Sequence, residues 1–151
     1  MKYFAFILFF FVAISCKKNA SQMVDYSVKN ETDIQAYIKK HKLKVQKTAS
    51  GLYYAITKPG TGKQPTASDN VTVAYKGYFL DQNVFDESPK EGISFGLNQV
   101  IKGWTEGIPL FTEGAEGILI IPSKLGYGDQ DFSRIPGGSV LVFDIHLISV
   151  N

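Results

Sequence analysis

A chain of 151 residues with 44% hydrophobic and 20% charged residues carries enough apolar matter for one globular domain plus some additional sequence. Its formal charge of +2 is too small to argue for a nucleic-acid surface, and the lysines gather in the N-terminal third (Lys39, Lys40, Lys42, Lys44, Lys47), where a solvated face accounts for them. The single cysteine, Cys16, excludes an intramolecular disulfide, a CxxC redox pair and a cysteine metal cluster.

The first fifteen residues, MKYFAFILFFFVAIS, have one Lys and then an almost unbroken apolar run. That run is shorter than the roughly 20 residues a membrane-spanning helix needs, and a charged start followed by small residues predicts a secretory signal peptide. Ala13-Ile14-Ser15-Cys16 resembles a bacterial lipoprotein lipobox, although Ala13 stands where leucine is most common. The resemblance implies that Cys16 is lipidated and becomes the first residue of the mature protein. Each buried CH₂ of the acyl chains would contribute about 0.8 kcal/mol to a membrane anchor. An ordinary signal peptide cleaved nearby and a buried thiol are the other readings of the same residues. Lys17, rather than Asp, after the cysteine favours the outer membrane, so a periplasm-facing location is expected.

Residues 17–30 are polar without a sustained period and predict a tether. Thr32 and Gln35 form a capping-box pattern, and Ile34, Tyr37, Ile38 and His41 recur at helical spacing, which predicts a short helix over 33–41. Residues 16–43 are thus read as lipidated tether and helix, and 44–151 as the domain. From Lys44 the period becomes two. Strands are expected over 52–56, 71–79, 84–86, 93–97, 117–122 and 140–150, separated by turn-rich loops at 58–70 and 125–139. Val71, Val73, Tyr75 and Gly77 share one face of their strand; Leu141, Phe143, Ile145 and Leu147 share one face of the last. One short helix is expected near 101–107. Together these predict an antiparallel α+β domain, with no internal repeat.

Conventional catalytic groups are sparse. His41 and His146 have no second His or Cys at ligand spacing, so no metal is expected. Asp144 and His146 lie two apart on a strand with no nucleophile in the pattern, and an exposed polar face explains them. PGTG and GYG are turns rather than phosphate loops, since neither opens a helix after a strand. Glu87, Glu91, Glu106, Glu113 and Glu116 show no matched pair, so a hydrolase or transferase is poorly supported. What remains is a set of aromatic and aliphatic residues at loop and strand junctions, including the only tryptophan, Trp104, with glycines at 103 and 107.

The ordered series VAYKG (73–77), VFDES (84–88), FGLNQVIKGWTEG (95–107), P-x-x-LGYG (122–128) and IPGGSVLVFDIHL (135–147) resembles the FKBP-type peptidyl-prolyl cis-trans isomerases. It runs from about Gly51 to the C-terminus. The resemblance implies a five- or six-stranded antiparallel sheet curled around a short helix, with a proline-sized cavity between them. It implies a site of Tyr75, Phe85, Asp86, Ile101, Trp104, Tyr127 and Phe143, with Ile93, Val100 and Ile135 also against substrate. Trp104 would be the floor and Asp86 a polar wall. The Ile101 N–H and the Tyr127 hydroxyl would each hold a substrate carbonyl. Ile93 stands where many members carry a larger aromatic, and Ile135-Pro136-Gly137-Gly138 lacks a second proline that many carry. Phe79, Phe95, Phe111 and Phe132 are read as packing or loop cover.

The implied partners are proline-containing polypeptides and FK506-type macrolides, with no cofactor, no metal and no nucleic acid. Such a reaction needs no strong acid or base. Its barrier of about 18–20 kcal/mol is lost amide resonance, which an apolar cavity can lower. A non-catalytic module that holds a partner's proline or loop is the alternative from a different class. A structural subunit of an envelope complex, docked through the leading helix, is a third.

Overall fold

The computed structural model describes residues 25–151; the signal peptide, the lipobox and Cys16 lie outside them. The described chain begins with helix α1 (Ser27–His41), followed by strands β1 (Gln46–Lys47), β2 (Tyr53–Lys58), β3 (Asn70–Tyr78), β4 (Val84–Glu87) and β5 (Ile93–Gly96). The short helix α2 (Lys102–Gly107) comes next, then β6 (Glu116–Ile121) and β7 (Leu141–Val150). The sheet order is β1-β2-β6-β7-β3-β4, with β5 pairing the first half of β3, and every pairing is antiparallel. The two-residue β1 and the off-path β5 bring the strand count to seven. β1 has no signal of its own in sequence, because two paired residues carry no period.

Alternation along the central strands makes two apolar faces. On one face Val71 and Val73 of β3, Leu119 and Ile121 of β6, and Leu141, Phe143, Ile145 and Leu147 of β7 form one buried cluster with Trp104, Ile108 and Phe111. Each such side chain contributes roughly 1.5–3 kcal/mol on burial. The helix α2 lies against this face. Its closeness depends on two glycines: a Cβ at Gly103 would come within 2.6 Å of Ile121, and one at Gly107 within 2.8 Å of Leu119. The short helix is thereby seated directly on β6.

The opposite face carries Tyr53, Tyr78, Ile118, Ile120 and Val142, and α1 covers it with Ile34 and Tyr37. Here the structure corrects the sequence reading. The helix begins at Ser27, not at residue 33, so residues 27–30 are helical rather than tether. Thr32 is no cap: its hydroxyl donates to the Val28 carbonyl at 3.0 Å, one turn back within the helix. The start is marked instead by Asp25, whose carboxylate accepts the Ser27 N–H at 2.9 Å. The first turn is polar, so no amphipathic stripe announces it. Contacts with the loop before β7, described below, hold it. At the other end Lys42 turns left-handed (φ 52°) and the Leu43 N–H donates to the Ile38 carbonyl, a common way to close a helix.

Candidate active site

Between the concave face, α2 and the loops lies a cavity of about 470 Å³. Of the residues expected in the site, Tyr75, Phe85, Asp86, Ile93, Val100, Ile101, Trp104, Tyr127 and Phe143 line it. Ile135 does not. It is buried in the apolar cluster that Phe85 and Phe143 share. Phe95 and Gln99 also line the cavity, though sequence reasoning left Phe95 to packing and passed over Gln99. The signal was present for Phe95: it is two residues from Ile93 on β5, so the two side chains share a strand face.

Trp104 is buried beneath an aromatic cage. Its ring centroid lies 4.9 Å from Tyr75 in an edge-on arrangement, and 5.2 Å from both Phe95 and Phe143. Phe85 meets Phe143 edge-on at 5.5 Å. Such contacts add about 0.5–1.5 kcal/mol per pair beyond area burial and fix ring orientation. Gly77 permits the approach, since a Cβ there would come within 2.7 Å of Phe143 and 2.8 Å of Phe85. The Trp104 Nε1–H is buried and has no hydrogen-bond partner among the described residues.

Polar groups are few and specific. The Tyr75 hydroxyl donates to Asp86 Oδ2 at 2.6 Å, and Asp86 Oδ1 accepts the Glu87 N–H at 3.0 Å. Ile101 caps α2: its carbonyl accepts from the Trp104 and Thr105 amides at 2.9 and 3.2 Å, while its own N–H lies outside the helix's bonding. Tyr127 stands at the rim, 38% exposed, stacked on Phe132 at 4.9 Å. Phe132 is itself 57% exposed, so it covers Tyr127 rather than the core.

Asp144 has a structural use, accepting the Tyr78 hydroxyl at 3.0 Å on the convex face. Among the described residues no group of three or more His, Cys, Asp or Glu is placed to hold a metal ion.

Burial raises the phenol pKa of Tyr75 and Tyr127, with Asp86 adding to both, and that of Tyr78, with Asp144 adding. The folded state therefore keeps protons that the unfolded chain releases near the ordinary tyrosine value of about 10. The stability these groups contribute is complete below that value and is lost as pH rises above it. The urea midpoint is expected to be insensitive to these phenols at pH 7–9 and to fall above about pH 10. A midpoint level through the alkaline range would show that the phenols ionise freely in the fold.

An antiparallel sheet wrapped on a short helix, with an aromatic cavity floored by a lone tryptophan and walled by one tyrosine-bound carboxylate, defines the FKBP class of domain. The family model for FKBP-type peptidyl-prolyl cis-trans isomerase matches residues 61–148, and the chain belongs to that family. It is 46% identical over 126 residues to the probable FKBP-type isomerase FkpA of Neisseria meningitidis serogroup B, covering 80% of this chain and 46% of that protein. It is 42% identical over 108 residues to FkpA of Escherichia coli K12, covering 70% of this chain and 40% of the relative. The chain spans about half the length of the curated relatives it matches. The crystal structure of FkpA from E. coli superposes with a TM-score of 0.74 at 39% identity, over 82% of this chain and 60% of that one. A peptidyl-prolyl isomerase from Pseudomonas syringae pv. tomato does so with a TM-score of 0.72 at 32% identity, over 85% of this chain and 97% of that one.

Proposed function

We infer that this protein catalyses cis–trans isomerisation of X–Pro bonds in polypeptides by desolvating the bond in the cavity above Trp104. The observation that carries this reading is the cavity itself: about 470 Å³, walled by aromatic rings, with Asp86 as its one carboxylate. Resonance makes the ground-state imide planar and polar. Rotation decouples the carbonyl carbon from nitrogen, charge separation falls, and the twisted species gains by leaving water. A preformed apolar site favours that species over the planar one, which is the condition for raising kcat.

The pyrrolidine ring sits on the Trp104 indole between Tyr75 and Phe143. The Ile101 N–H donates to one substrate carbonyl and the Tyr127 hydroxyl, held protonated, to another at the rim. These bonds position the peptide while the bond between them turns. The uncatalysed event takes tens to hundreds of seconds, so acceleration is readily measured on a short X–Pro peptide. The full chain is expected to accelerate it and to be inhibited by an FK506-type macrolide. A folded protein that does neither overturns the reading and leaves a non-catalytic proline-binding module.

We further propose that Cys16 carries the lipid anchor and that the clients are exported proteins met at the cell envelope. The support is the signal-like run and lipobox of residues 1–16. Among the described residues no helix is long and apolar enough to cross a membrane. Cys16→Ala is expected to abolish incorporation of labelled palmitate and to move the protein from the detergent phase to the aqueous phase, with isomerase activity intact. Unchanged partitioning would refute the anchor.

A further inference from the structure

The rim residue Tyr127 is carried by the stretch 122–139, which has only a 3₁₀ turn (Ser123–Leu125) and an isolated Phe132–Ile135 bridge of its own. A connection this long holds one shape only if its backbone is tied down. Three bonds gather it around Tyr127. The Gly126 and Gly128 amides both donate to the Ser123 carbonyl at 2.9 Å, and the Gly138 amide donates to the Gly128 carbonyl at 2.9 Å. Ser123, Gly128 and Gly138 therefore form the base on which the Tyr127 turn stands.

One side chain from α1 grips that base at two points. Asn30 Oδ1 accepts the Ser123 N–H at 2.7 Å, and Asn30 Nδ2 donates to the Gly138 carbonyl at 2.8 Å. The partners lie 93 and 108 residues away in sequence, and Asn30 is 2% exposed. Only this amide orientation matches donor to acceptor at both contacts. A buried amide is costly unless satisfied, and here each end meets a backbone group of the loop. Tyr26 completes the grip. Its ring lies over Gly138, where a Cβ would come within 2.3 Å, and the Gly138 backbone is left-handed (φ +75°). Ile34 and Tyr37, further along α1, pack instead on the convex sheet face. The helix thus has a loop-holding first turn and a sheet-packing remainder.

We propose that Asn30 is a positioning residue for the proline site: by tying Ser123 to Gly138 it sets the turn that presents the Tyr127 hydroxyl at the cavity rim. The inference rests on the isomerase reading of the cavity. Asn30→Ala and Ile34→Ala, made in the full chain, are compared with the unaltered protein at a temperature where circular dichroism shows all three folded. Asn30→Ala is expected to lower kcat/KM by about three- to tenfold, the scale of one hydrogen bond, mostly through KM. The Gly128 and Gly138 amides should also exchange hydrogen faster. Ile34→Ala should lower Tm and leave kcat/KM within about twofold, because it loosens the helix without touching the clamp.

The proposal is overturned if Asn30→Ala leaves KM and exchange unchanged, or if Ile34→Ala costs as much activity. If Asn30→Ala does not fold, Asn30→Asp, which keeps an acceptor for the Ser123 N–H and removes the donor to the Gly138 carbonyl, should raise KM in the same direction; an unchanged KM there rejects the clamp. Inactivity of the unaltered protein would strike the proposed function instead, and hydrogen exchange at Gly128 and Gly138 would still decide the role of Asn30.

Discussion

Asp86→Ala is expected to lower kcat/KM on an X–Pro peptide by about 10- to 100-fold, because a hydrogen bond to a charged group is worth ~1.5–3 kcal/mol and each tenfold corresponds to about 1.4 kcal/mol. The substitution removes the acceptor of the Tyr75 hydroxyl. Tyr75 then loses the contact that holds its ring edge-on to Trp104, and the cavity loses one wall. Tyr75→Phe removes only the donor and leaves Asp86 hydrated at the surface, so its cost should be smaller, about three- to fivefold. The double variant should cost less than the product of the two, since either change alone already breaks the bond. Independent, multiplicative losses would show that the pair does not act as a unit. Asp86→Asn then separates charge from hydrogen bonding: it keeps an acceptor oxygen, so activity close to that of the unaltered protein would assign the effect to the bond.

Trp104→Leu should leave the domain folded while lowering kcat/KM and macrolide affinity by about five- to twelvefold. The indole covers one face of a bound pyrrolidine. Exposing about 40–60 Å² of that ring at ~25 cal/mol per Å² forfeits roughly 1–1.5 kcal/mol of binding. The protein itself should lose about 2–3 kcal/mol of stability, below the ~3–5 kcal/mol of a full truncation to alanine, because leucine refills part of the cage. Steady-state isomerisation, macrolide titration and a denaturant midpoint together separate the two effects. A loss of activity that merely tracks unfolding would make Trp104 a core residue and nothing more. Its unpartnered Nε1–H suggests the opposite balance, because a purely structural tryptophan this deep usually has its donor satisfied.

Parts of this site are legible along the chain because some of the residues that build it are neighbours in sequence. Phe85 and Asp86 are adjacent, as are Val100 and Ile101, and Trp104 follows within one helical turn. Period-two alternation places Tyr75 and Gly77 on one face of β3 and Phe143 on the matching face of β7, which the pairing of Gly77 with Phe143 confirms. Phe95 serves both roles: it packs against the core cluster, as its sequence context suggests, and it also lines the cavity. Ile135, inside a recognisable motif, packs in the cluster that Phe85 and Phe143 share.

Helix α1 marks the boundary between the two kinds of information. Ile34, Tyr37 and Ile38 announce its sheet-facing turns, because burial on one side imposes a period on the sequence. Its first turn imposes none. Asn30 looks like any polar residue of a linker until Ser123 and Gly138 are brought beside it, and Tyr26 looks like an exposed aromatic until Gly138 is beneath its ring. The sequence by itself determined which strands alternate and which short helix carries the tryptophan, since each is written in local period or in neighbouring residues, while the set of cavity side chains was implied by the resemblance to the FKBP family. Only the tertiary structure decided how far α1 extends, that it reaches the loop carrying Tyr127, and which aromatics stand between core and cavity. Those contacts join residues 93 and 108 positions apart, and a hydrogen bond to a backbone group leaves no mark on the sequence of the partner it holds.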